Sequence, residues 1–62
     1  MKANDDVIIE FNELMGIYQF DNGMPESKAL NFARPEMLKR MERAGEKRTD
    51  AVYRFKQLIN TK

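Results

Sequence analysis

The stretch YQFDNGMPESKALNFARPEML, Tyr18–Leu38, holds both prolines of the chain, one of its three glycines and three short apolar patches. How it folds decides how many helices the protein has. Asn22 and Gly23 tolerate the left-handed backbone that closes a helix, and Pro25 suits the first turn of the next. The spacing predicts a short second helix over Pro25–Ala33, with Ala29, Leu30, Phe32 and Ala33 facing the core. Pro35 pushes Arg34 out of helical backbone and fits a new first turn, so PEMLKRMERAG reads as a third helix stopped by Gly45. The expectation is four helices, Pro35 opening a new one, with three as the alternative if it only bends one.

On the N-terminal side, Val7, Ile8, Phe11, Leu14, Met15 and Tyr18 form the ladder of a core-facing helix, predicted over Asp5–Asp21. Asn4, Asp5 and Asp6 offer N-cap oxygens and negative charge at the positive end of its dipole. On the C-terminal side, TDAVYRFKQLIN starts at Thr49 or Asp50 as cap and repeats the ladder at Ala51, Val52, Phe55, Leu58 and Ile59. No strand alternation, internal repeat or low-complexity run competes. The expectation is all-α: a single helical domain over 1–62, a compact cluster of three to four helices joined by tight turns.

A chain of 62 residues hides only about 60% of the surface its unfolded form exposes, so a second copy is a natural source of further burial. With 42% hydrophobic and 34% charged residues, it reads as globular. Cysteine and histidine are absent, which removes disulfides, thiol nucleophiles and cysteine–histidine zinc sites. No apolar run approaches the roughly 18 residues of a membrane span, and MKANDDVIIEF lacks the apolar core of a signal peptide. A cytoplasmic protein without cofactor, metal or membrane contact is the plain expectation.

Charge is unevenly placed. Residues 1–33 carry two basic against six acidic side chains, a formal −4, and residues 34–62 carry nine against four, a formal +5. Along the predicted third helix, Lys39, Arg40 and Arg43 cluster within about one quadrant opposite Met37, Leu38, Met41 and Ala44. Lys47 and Arg48 extend this into a basic ridge suited to phosphates, with Tyr53 the one aromatic near enough to stack on a base. A solvated helix face explains the same residues, since Glu36, Glu42 and Glu46 lie among the cations. Aligned on Ala29 and Ala33, a helix-turn-helix pattern finds Lys39 where an apolar residue is required and Pro35 in its turn.

A second candidate surface lies on the first helix. Ile9 and Phe20 point away from the main ladder and, with Glu13 and Gly16, form a stripe at heptad-like spacing that a partner helix would cover. Gly16 allows close backbone approach at a cost of about 1 kcal/mol in helix propensity. Met24 continues the stripe, and the methionines Met15, Met24, Met37 and Met41 suit either an adaptable surface or an ordinary core. Coverage by another helix of the same chain is the competing reading.

Catalysis finds little support. The loop DNGMPE lacks the alternating oxygen ligands of a calcium loop, Ser27 has no histidine to activate it, and no glycine-rich phosphate loop is present. Glu10 and Glu13 share one helix, an ordinary solvated arrangement. The expectation is a non-enzyme with no catalytic or metal-binding residues.

The segment IYQFDNGMPESKALNFA, Ile17–Ala33, resembles an aromatic-x-aromatic-Asp-Gly-Gly-Leu-Ser-x-x-x-Ala segment of small helical proteins of bacterial phages and mobile elements. Asn22 stands in place of the first glycine and Pro25 in place of the serine. The resemblance implies a phage or mobile-element origin, hence a bacterial or phage-infected cell, and nothing about mechanism. The leading expectation is a small accessory or regulatory protein that binds another protein or a second copy of itself. The alternative is a nucleic-acid-binding protein using Lys39, Arg40, Arg43, Lys47 and Arg48.

Overall fold

The buried stripe Val7, Phe11 and Leu14 recurs at i, i+4 and i+7 and organises α1, Asn4–Gly16. Its start differs from expectation. Ala3 takes the extended N-cap conformation and its carbonyl accepts the Val7 N–H at 3.1 Å, while Asp5 and Asp6 occupy the first turn. No side chain caps α1, and the Asn4 oxygen instead accepts a hydrogen bond from Arg54 Nη1 at 2.7 Å. A long-range partner has taken the atom that local rules assigned to the helix end.

Beyond Gly16 the helix widens into a π turn, Ile17–Asp21. The Asn22 N–H donates to the Ile17 carbonyl at 3.2 Å, joined there by Asn22 Nδ2, and the Met24 N–H reaches the Tyr18 carbonyl at 3.0 Å. Gly23 carries the left-handed backbone, φ +66°, whereas Asn22 keeps φ −105°. Only the glycine therefore closes the helix in the left-handed region.

The next element overturns the four-helix expectation and bears out the three-helix alternative. α2 runs unbroken over Glu26–Arg43, with Pro35 inside it, so the predicted helix end at Arg34 does not exist. The reason is the stripe Ala29, Ala33, Met37 and Met41, one residue in four and all fully buried, which straddles the proline. A break at Arg34 would turn one half of this stripe away from the core. Pro35 removes the hydrogen bond that the Asn31 carbonyl would accept. Both residues are exposed, so water is available to that carbonyl. Phe32, expected in the core, is half-exposed and meets Tyr18 with ring centroids 5.9 Å apart.

α2 ends in a Schellman closure: the Glu46 N–H donates to the Met41 carbonyl at 3.2 Å, the Gly45 N–H to the Glu42 carbonyl at 2.9 Å, and Gly45 is left-handed at φ +96°. α3 then spans Arg48–Asn60, beginning just ahead of the expected cap, and buries Ala51 and Phe55. Val52, Leu58 and Ile59, expected inside, are half-buried. The Phe11 and Phe55 rings meet edge to face at 5.1 Å, joining α1 to α3 over the methionines of α2.

These contacts come from a computed structural model that describes residues 1–60. α1 and α2 are antiparallel: the loop after the π turn joins their near ends, and the Met1 amine donates to the Ala44 carbonyl at 2.7 Å across the far ends. The Cα radius of gyration, 11.3 Å, is close to the roughly 10.6 Å of a compact chain this long. Among the described residues no strand forms, and no helix is long and apolar enough to cross a membrane.

Candidate interaction surfaces

Neither α2 nor α3 covers the outer face of α1. Phe20 is 85% exposed, Ile9 55% and Ile17 46%, with Glu13 exposed between them and Gly16 and Met24 half-buried. Intrachain coverage of Ile9 and Phe20, the competing reading of the stripe, is therefore not what the fold does. Ile17, which α-helical phasing does not select, is exposed as well. The π turn advances less than the usual 100° per residue, so phases extrapolated past Gly16 are displaced.

Gly16 has ordinary helical backbone, φ −59° and ψ −45°, and a Cβ placed on it would meet nothing within 4 Å. Packing within the chain gives no reason for a glycine there. Its helix-propensity cost, about 0.8–1 kcal/mol relative to alanine, is therefore uncompensated inside the monomer.

The basic candidates separate on folding. Arg40 is half-buried and drawn to Glu10 at 3.4 Å, where Lys2 also pairs at 2.7 Å. The hydrogen bond from Lys2, with smaller help from Arg40 and against the cost of burial, holds the Glu10 carboxyl below its ordinary pKa. Lys39, Arg43, Lys47 and Arg48 are exposed, and Arg48 makes only a long contact of 3.5 Å to Glu42. Lys62, counted with the basic half, lies outside the described residues.

Glu46 was counted among the acids that dilute the ridge. The fold turns it inward to 8% exposure, where Arg54 grips both carboxylate oxygens, Nε at 2.7 Å and Nη2 at 2.8 Å. This hydrogen bonding lowers the Glu46 pKa and raises that of Arg54, burial opposing both. With Asn4 on Nη1, the Arg54 guanidinium clasps the start of α1 and the middle of α3 to the turn after α2. Spacing alone did not single out this pair, because Glu46 and Arg54 are eight residues apart on different elements.

The helix-turn-helix aligned on Ala29 and Ala33 has no turn, since α2 continues through Pro35. Among the described residues, no three His, Cys, Asp or Glu side chains gather to hold a metal ion. Comparison with protein-family models, curated proteins and solved structures returned no match for this chain.

Proposed function

We propose that this chain is a non-enzymatic accessory or regulatory protein that acts by binding another protein, a second copy included, through the outer face of α1 and its π turn. The observation that carries the reading is Phe20, 85% exposed on the π turn, with Ile9 and Ile17 exposed on the same N-terminal helical segment. Burying such a phenylalanine gains about 1.5–3 kcal/mol, which the monomer forgoes. Turns of π-helix inside helices recur at functional sites. The resemblance over Ile17–Ala33 supports a phage or mobile-element origin and, with it, action in a bacterial or phage-infected cytoplasm.

A photo-crosslinking residue at position 20 tests the face in the producing cell, with one at Lys28, exposed on α2, as control. Discrete adducts to protein at position 20 alone are expected, and Phe20→Asp should keep the helical circular dichroism signal. Loss of helicity in Phe20→Asp would make the residue core. Equal, diffuse labelling at both positions would leave the face to solvent.

A further inference from the structure

The turn that local rules placed at Pro35 lies at Ala44–Lys47, and this changes what the following helix presents. α2 closes at Gly45, four residues separate it from α3, and Ala51, six residues past Gly45, is fully buried. A glycine-containing turn of three or four residues between two helices is one feature of the unit that offers its second helix to the DNA major groove.

The outer face of α3 suits that role. At 100° per residue, Thr49, Tyr53, Lys56, Gln57 and Asn60 lie within about 60° of the direction opposite Ala51. All five are exposed, and none is a carboxylate. Gln and Asn pair with adenine edges and Thr with either a base or the thymine methyl, and the Lys56 ammonium can meet a phosphate. Asp50 stands on the flank of this stripe. Around it, Lys47 and Arg48 are exposed at the start of α3 and Arg43 near the end of α2, and the Glu46 carboxylate in the turn is already neutralised by Arg54.

We propose that α3 is a duplex-DNA-reading helix, with Arg43, Lys47, Arg48 and Lys56 on phosphates and Thr49, Tyr53 and Gln57 facing base edges in the major groove. No residue of the α1 face takes part, so this assignment and the protein-binding reading stand or fall separately.

The test is fluorescence anisotropy of a labelled duplex of roughly 20 base pairs, about two helical turns, titrated with the full chain. Four phosphate contacts, from Arg43, Lys47, Arg48 and Lys56, imply a logarithmic salt slope near −3.6 and about a 150-fold loss of affinity between about 50 and 200 mM salt. Arg48→Glu and Lys56→Glu should each weaken binding and flatten that slope by about one unit. Lys28→Glu makes the same charge change on the exposed start of α2 and should do neither. Gln57→Ala, an uncharged second variant, should narrow the gap between a selected and a scrambled duplex while leaving the salt slope unchanged. Absence of binding at the lower salt, equal losses from Lys28→Glu and Lys56→Glu, or tighter binding to the corresponding single strand would each overturn the assignment.

Discussion

Replacing Pro35 with alanine should stabilise this protein. Pro35 is exposed inside α2, so the substitution removes no core contact and restores an N–H that can donate to the Asn31 carbonyl. In helical hosts proline is about 3 kcal/mol worse than alanine. Part of that cost is already relieved here, because Asn31 and Pro35 are exposed and water can reach the orphaned carbonyl. A gain of about 1–2 kcal/mol is expected, against a total stability of roughly 3–9 kcal/mol for a chain this long. With an unfolding entropy near 2.1 cal/mol/K per residue, each kcal/mol moves the midpoint by about 8 °C, so Pro35→Ala should raise Tm by about 8–16 °C. Thermal melts followed by circular dichroism at 222 nm read this directly. Were Pro35 instead the first residue of a separate helix, alanine would be neutral or worse there. An unchanged or lower Tm would therefore refute the continuous helix, or show that the packing of Ala33 and Met37 depends on a bend at the proline.

Two further outcomes follow from the contacts around the core. Glu46→Gln should cost about 2 kcal/mol at neutral pH, below the 3–5 kcal/mol for breaking a deeply buried pair, because Arg54 remains partly solvated. Since the folded Glu46 pKa is lowered, the stabilisation is full above the ordinary glutamate value near 4.3 and is lost as pH falls through the folded value. Melts of Glu46→Gln and wild type should thus differ by about 15 °C near neutrality and converge in acid, and curves that stay parallel down to acid pH would contradict the clasp. Gly16→Ala should stabilise the monomer by about 0.8–1 kcal/mol, since its new Cβ meets nothing, while weakening any association that brings a backbone against α1. Melting and sedimentation should therefore move in opposite senses, and a stabilised variant with undiminished association would show that no backbone approaches Gly16.

Much of the fold could be read from residue spacing because its determinants are local and repetitive. Val7, Phe11 and Leu14 bury at helical spacing whatever they pack against, and Gly23 and Gly45 end their helices because only glycine enters the left-handed region freely. The all-α class and the uneven charge were legible in the same way. What escaped was each choice between two locally acceptable outcomes. Pro35 fits either a helix start or a helix interior, and the four-residue stripe Ala29–Met41, shared against α1, selected the interior. Asn4 fits a cap or a distant partner, and Arg54, fifty residues away, selected the second. Arg40 and Glu46 count as surface charge in a sequence, yet folding paired Arg40 with Glu10 and Glu46 with Arg54, leaving Lys39, Arg43, Lys47 and Arg48 as the exposed cations of the ridge. The sequence by itself determined which segments are helical and which side chains are apolar enough to bury. Tertiary structure alone decided where one helix ends, which charges stay free and that no other helix covers Phe20, because these depend on contacts between elements far apart in the chain.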